Sequence, residues 1–383
     1  MILRDGKIPL LIQAISSKTG RRAWGGPSLP LPELFQASGT DRTAFDAVRN
    51  NYLQSTTTQP VDLDRDGHPE LLQTLWLFGQ RFPEPRGLAP VEHQQEFLAL
   101  IDGRNGSLRW VEPVTELLGG NGYLRNSNAQ AQVDASADLN ADGTLDIVVV
   151  VPTQDAQGWW TGTLQVRNGR DGKPLWPAQP IDGKWNDARG LKRPLIGDLD
   201  GDGRPEIVLY ETIQPQLRTL RGDTGESLWT WKATQNLSPN SIVPGVVLVT
   251  QSSPVAPRQE SRTPKDVDRE ADVVEATDAN SAPGNSFRGA RRLRCVAVTI
   301  NETGNQWELV LLDHEGKVVE RVPYGTNQLW SHDLDGDGGE ELLRYEGTKL
   351  TVSRGLHDVL WTWTRPASDY GWVSRFDRAS DGR

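Results

Sequence analysis

The chain is poor in thiols: of its 383 residues only Cys295 is a cysteine, so neither an intrachain disulfide nor a Cys-rich zinc site can form. A reducing compartment does not follow from this. No apolar run approaches the roughly 18 residues a membrane helix needs. Met1–Gln13 carries charges where the core of a signal peptide would be apolar. The sequence given is therefore expected to be soluble, without membrane insertion or a targeting signal. Positive charge is also short, with 41 Lys and Arg against 51 Asp and Glu. The net charge of −10 disfavours nucleic acid and anionic lipid as partners, because both are negative themselves. The five histidines, His68, His93, His314, His332 and His357, show no metal-ligand spacing, and their side chains are expected at ordinary surface or turn positions.

Turn formers are plentiful. Hydrophobic residues make up 36% of the chain beside 38 Gly and 25 Pro, which suits many short strands joined by tight turns better than long helices. Length alone allows two ordinary domains or one large all-β domain, and repeats decide. Four acidic segments align position by position: DLDRDGHPE at Asp62–Glu70, DLNADGTLD at Asp138–Asp146, DLDGDGRPE at Asp198–Glu206 and DLDGDGGEE at Asp333–Glu341. Positions 1, 3 and 5 carry side-chain oxygens, from Asp62, Asp64 and Asp66, from Asp138, Asn140 and Asp142, from Asp198, Asp200 and Asp202, and from Asp333, Asp335 and Asp337. Glycine follows at position 6, and Glu70, Asp146, Glu206 or Glu341 closes the set at position 9. Short β-branched runs such as Ile147–Val151 come next, so the loops feed strands.

Ca²⁺ takes six to eight oxygens, and alternate side chains on a tightly turning loop can converge on one ion. Glycine at position 6 supplies the bend, and the position 7 carbonyl of His68, Thr144, Arg204 or Gly339 is expected to add a backbone oxygen. An EF-hand would require Glu at position 12, where this chain has Gln73, Val149, Leu209 and Arg344. A lone acidic turn is common as a solvated hairpin turn, but four aligned copies that keep position 9 favour metal. About four Ca²⁺ sites are expected, and four such ions would cancel most of the −10. The loop with Asn140 has one carboxylate fewer and is expected to bind more weakly.

A second element recurs, a turn in which Gly is followed four residues later by Trp: Gly20 and Trp24, Gly106 and Trp110, Gly172 and Trp176, Gly225 and Trp229. The pattern loosens later, where Glu320 follows Gly316 and Trp361 follows Gly355 at a different distance. Repetition at equivalent positions predicts tryptophans that pack between neighbouring sheets. One acidic loop is missing between Trp229 and Asp333, and Ile242–Gly245 followed by Val246–Thr250 reads as its two flanking strands joined directly. Residues 251–292 are rich in Ser, Pro, Asp, Glu and Arg, and are expected to be a disordered insertion or linker between propeller segments 1–250 and 293–383. Asp377, Asp381 and Gly382 copy the first half of a loop and Asp5-Gly6-Lys7 the second half of one, as though the chain were excised from a longer polypeptide. Loop starts at about 1, 62, 138, 198, 244, 333 and 377 give six units averaging about 63 residues.

The acidic loops resemble the FG-GAP and VCBS repeats of integrin α-chain heads and bacterial surface proteins. The Gly-to-Trp turns, clearest at Asp223–Trp229 and Lys18–Trp24, look like the tryptophan-docking motif of quinoprotein (PQQ-like) propellers. The resemblance implies an all-β fold, a calcium-stabilised β-propeller of about six to seven blades. It implies no single activity. The leading expectation is a non-catalytic extracytoplasmic recognition module of a larger protein, binding a protein or glycan. The alternative is a propeller enzyme, either a quinoprotein oxidoreductase or a polysaccharide lyase. Against the former stand the lack of a vicinal Cys pair and of a cofactor-ligand set, and against the latter the lack of carboxylates beyond those given to calcium. Gln157-Gly158-Trp159-Trp160 is the one local candidate for glycan stacking, with blade packing the stronger reading. Arg221-Gly222-Asp223 spells an adhesion tripeptide but lies in a turn where such residues are expected anyway.

Overall fold

A computed structural model of the chain describes residues 7–9, 13–25, 28–30, 50–81, 91–114, 131–154, 160–185, 193–211, 216–232, 246–252, 292–300, 307–325, 329–334 and 339–365. Among these residues every regular element is a strand. At the N-terminal end β1 (Lys7–Pro9) pairs with β4 (Ser28–Pro30), and β2 (Gln13–Ile15) forms a hairpin with β3 (Arg22–Gly25).

Five four-stranded antiparallel sheets follow. Blade 1 holds β5 (Asn50–Val61), β6 (Glu70–Arg81), β7 (Val91–Ile101) and β8 (Leu108–Pro113), and blade 2 holds β9 (Gln132–Ala137), β10 (Asp146–Gln154), β11 (Trp160–Arg167) and β12 (Gln179–Trp185). Blade 3 is β13 (Leu195–Gly197), β14 (Glu206–Glu211), β15 (Gln216–Arg221) and β16 (Ser227–Lys232). Blade 4 is β17 (Val246–Ser252), β18 (Arg292–Ile300), β19 (Trp307–Leu312) and β20 (Val318–Tyr324). Blade 5 is β21 (Leu329–His332), β22 (Glu341–Glu346), β23 (Lys349–Arg354) and β24 (Asp358–Thr364). In each sheet the strands lie in chain order, an up-and-down meander.

The second strands read as apolar runs because both of their faces are covered. In β10, Val148 and Val150 face blade 3 and pack with Ile207, Leu209 and Leu220, while Ile147, Val149 and Val151 face blade 1 and pack with Leu72, Leu98 and Leu100. The same alternation sends Val296 and Val298 to Val208 and Leu217 of blade 3, and Ala297 towards Leu329 and Leu342 of blade 5. A period of two thus serves two interfaces at once, which explains sheets stacked face to face in sequence order as in a β-propeller. First strands of adjacent blades also meet, β9 with β13, β13 with β17 and β17 with β21.

The Gly-to-Trp turns join third strand to fourth and lock each blade to the next. The indole N–H of Trp24 donates to the Gly103 carbonyl at 2.8 Å, Trp110 to Gly169 at 3.0 Å, Trp176 to Gly222 at 3.0 Å and Trp229 to His314 at 2.7 Å. Each ring also lies on the left-handed glycine three residues further, or two in the last case: a Cβ on Gly106, Gly172, Gly225 or Gly316 would fall 2.5–2.8 Å from the preceding blade's side chains. In blade 4 Glu320 stands where the tryptophan would be and contacts His357 of the next blade's turn at 2.5 Å. By register Trp361 pairs with Val352 as Trp229 pairs with Thr219, and it is 46% exposed.

One expectation is corrected. The strand Val246–Ser252 is not joined directly to a preceding partner: it pairs with Arg292–Ile300, from Val246 with Val298 to Ser252 with Arg292. Residues 253–291, which lie outside the described residues, therefore occupy in chain order the β17–β18 connection, where the other blades carry the acidic loop. Ile242–Gly245, Asp5-Gly6, Trp159, Asp377, Asp381 and Gly382 also lie outside them.

Trp176→Phe, which keeps the stacked ring but removes the N–H, should cost about 1 kcal/mol in denaturant unfolding. Gly222→Ala should cost about 1–3 kcal/mol, since its Cβ would meet the Pro205 carbonyl at 2.4 Å and Leu139 at 2.7 Å.

Candidate metal centres

All four acidic loops join the first strand of a blade to the second: β5 to β6, β9 to β10, β13 to β14 and β21 to β22. Position 1 caps the bend. Asp62 accepts the backbone N–H groups of Asp66 at 3.0 Å and Gly67 at 2.9 Å, and Asp138 those of Asp142 at 3.1 Å and Gly143 at 2.9 Å. Asp198 accepts from Gly201 at 2.7 Å and Gly203 at 3.0 Å. Gly67, Gly143 and Gly203 have φ of +85°, +89° and +89°, which explains the glycine at position 6. Position 4 is left-handed as well, at Arg65, Ala141 and Gly201, a demand the spacing did not reveal.

Position 9 does two things. One oxygen of Glu70, Asp146, Glu206 and Glu341 accepts the backbone N–H of position 2 (Leu63, Leu139, Leu199 and Leu334) at 3.0, 2.9, 2.7 and 2.8 Å. The four carboxylates are buried. Leu63, Leu139 and Leu199 at position 2 are buried too and pack against the following blade. The leucine repeated in the sequence was the signal for this anchor.

In loop 1 the oxygens of Asp62, Asp64 and Asp66 lie within 4.8 Å of one another, and in loop 3 those of Asp198, Asp200 and Glu206 do. These are the two such clusters among the described residues. Loop 2 replaces one carboxylate by Asn140, whose amide donates to Asp142 at 3.4 Å, and Asn168 from the neighbouring turn donates to Asp142 at 2.8 Å. In the fourth loop Asp333, Gly339 and Glu341 are described, while Asp335 and Asp337 lie outside the described residues. The side-chain oxygens and buried position 9 carboxylates of loop 3 fit a hard divalent cation. The backbone carbonyls at position 7 belong to His68, Thr144, Arg204 and Gly339.

Burial pushes the Glu206 carboxyl up to about 7, against the Leu199 N–H that lowers it and with Asp200, Asp198 and Asp202 adding repulsion. Burial likewise raises Asp146 to about 6, opposed by the N–H groups of Leu139 and Gly169. In loop 1 burial raises Glu70, whereas the hydrogen bond from Arg109 holds Asp64 below the usual carboxylate range. Arg109 was not singled out in the sequence. Its Nη1 lies 2.8 Å from Asp64 and its Nη2 2.9 Å from Glu70, and Arg104 lies 3.1 Å from Asp66. The tripeptide Arg221-Gly222-Asp223 is internally engaged, with Arg221 bonded to Asp223 at 3.1 Å and Arg204 at 3.0 Å from the same carboxylate.

The meander blades and their 1–2 loops define a propeller repeat protein with candidate cation loops on the blade connections. Residues 138–209, which span loops 2 and 3, match the FG-GAP-like repeat family. No curated protein matches the chain. Among solved structures, rhamnogalacturonan lyase YesW is 16% identical with a TM-score of 0.41, over 93% of this chain and 54% of that one. Rhamnogalacturonan lyase PL11 of Bacillus licheniformis is 15% identical with a TM-score of 0.40, over 94% and 54%. The V. cholerae biofilm matrix protein Bap1 is 10% identical with a TM-score of 0.29, over 83% and 80%. The chain spans about half the length of the lyases it matches. Scores this low carry no argument about its activity. No helix among the described residues is long and apolar enough to cross a membrane.

The raised carboxyls set a pH dependence in chelator. Below pH 4.5 Glu206 is protonated in both folded and unfolded chains; between 4.5 and about 7 it ionises only when unfolded, so stability falls across that window. Asp146 adds a fall between 3.8 and about 6. The unfolding free energy of the metal-free chain, read from denaturant melts, should therefore drop from pH 4.5 to 7, by about 3 kcal/mol for Glu206 alone.

Proposed function

We propose that the loops bind Ca²⁺ and that the protein is a calcium-stabilised propeller module acting in recognition outside the cytoplasm as part of a larger protein. The observation that carries this reading is loop 3. Asp198, Asp200 and Glu206 gather their oxygens within 4.8 Å, and no ion pair to a described cation relieves them. Such a set is repulsive unless protonated or neutralised by a cation, and Ca²⁺ is the hard, oxygen-seeking ion that is abundant outside cells. Asp62, Asp64, Asp66 and Glu70, Asp138, Asn140, Asp142 and Asp146, and Asp333, Asp335, Asp337 and Glu341 are the corresponding ligands of the other loops, each with its position 7 carbonyl.

The recognition role is supported by the resemblance of the acidic loops to the repeats of integrin α-chain heads and bacterial surface proteins, and by the match of residues 138–209 to the FG-GAP-like repeat family.

Thermal melting in millimolar Ca²⁺ against EDTA tests the calcium reading, with a higher melting temperature in Ca²⁺ expected and an unchanged one refuting it. Glu206→Gln sharpens the test because the amide oxygen can still accept the Leu199 N–H. It should stabilise the chain in EDTA at pH 7 and destabilise it in Ca²⁺, a reversal that a purely structural carboxylate would not show.

A further inference from the structure

The residue before the docking tryptophan is leucine in blades 2 and 3, Leu175 and Leu228, but Arg109 in blade 1. The exchange coincides with one of the two acidic clusters among the described residues. Asp102, at the start of the same turn, adds a fifth carboxylate beside Asp62, Asp64, Asp66 and Glu70. Arg109 spans three of these five, at 2.8 Å from Asp64, 2.9 Å from Glu70 and 3.6 Å from Asp102. Arg104 joins Asp66 at 3.1 Å to Asp102 at 3.3 Å. Blade 3 has arginines close by, yet both Arg204 and Arg221 are held by Asp223, and among the described residues no ion pair reaches Asp198, Asp200 or Glu206.

We propose that Arg109 is the resident cation of loop 1: with Arg104 it offsets part of the loop's charge from within, so that loop 1 keeps its shape without metal and admits Ca²⁺ only by displacing the guanidinium. Loop 3, with leucine at the equivalent position, depends on the ion. The proposal rests on the calcium reading of the loops. Its physical basis is that a planar guanidinium satisfies two carboxylates through directed N–H donors, whereas Ca²⁺ needs the same oxygens turned towards one point. The two occupants exclude each other at Asp64 and Glu70. The four aligned loops, equal by spacing, are thereby unequal in their need for calcium.

Calcium titration calorimetry on the full chain, paired with melting in EDTA, tests this with Arg109→Leu, Arg109→Lys and Asp200→Asn. Arg109→Leu should bind one further tight Ca²⁺ equivalent, or raise the affinity of one site about tenfold or more, because a competing positive charge has gone. It should also melt lower than the parent chain in EDTA. Arg109→Lys keeps the charge without the fork and should recover most of that melting temperature, which separates charge from packing. Asp200→Asn should remove one equivalent whichever residue stands at 109. Calcium binding by Arg109→Leu with the parent's stoichiometry and affinity would overturn the proposal. If neither the parent chain nor Asp200→Asn binds Ca²⁺, the calcium reading has failed, and melting in EDTA alone decides the role of Arg109: a lower value for Arg109→Leu, rescued by lysine, supports a resident cation, and equal values refute it.

Discussion

At Gly103, Gly169 and Gly222 the backbone is held from two sides. Each residue lies so close to its own blade's acidic loop that an added Cβ would sit 1.9, 2.0 or 2.4 Å from the carbonyl at position 8, that of Pro69, Leu145 or Pro205. Each also offers its own carbonyl to the indole of the preceding blade. One peptide unit therefore ties together a loop, a turn and a neighbouring sheet. The tryptophan ladder and the acidic loops, separate patterns in the sequence, are coupled at this point. Disturbing a loop presses on the interface behind it, and losing a tryptophan releases the turn on which the loop rests.

The coupling gives meaning to the buried position 9 carboxylate. Its hydrogen bond to the position 2 N–H fixes the loop's exit to its entrance, and the position 2 leucine drives that entrance into the core. Burying a carboxylate is unfavourable unless its charge is met. Loop 2 has amides close by, loop 1 has guanidinium groups on its carboxylates, and beside loop 3 the guanidinium groups of Arg204 and Arg221 are held by Asp223 instead. The same nine-residue frame thus carries different electrostatic demands in successive blades.

Much of this was legible in the sequence. A spacing of 1, 3, 5, 6 and 9 ahead of a β-branched run identified strand-joining loops, because glycine at position 6 answers a backbone requirement that few other residues meet. The Gly-to-Trp interval marked the interface contacts, because both partners in each contact recur. What escaped depended on contacts distant in sequence. Nothing local to Arg109 points to Glu70, and nothing local to Glu320 shows that a contact to His357 stands where a tryptophan would dock. The first strand of blade 4 was paired with the wrong neighbour because its true partner lies beyond residues 253–291, out of reach of any short-range pattern.

That misreading points to a property of the blade itself. The hydrogen bonds between β17 and β18 run from Val246–Val298 to Ser252–Arg292 although a long segment has taken the place of a nine-residue loop. Trp229 of blade 3 docks on the His314 carbonyl in the outer turn of blade 4, as the other tryptophans dock on their neighbours. The register of this blade is thus held by its own strands and by the contacts at its outer turn, whatever length of chain joins its first strand to its second.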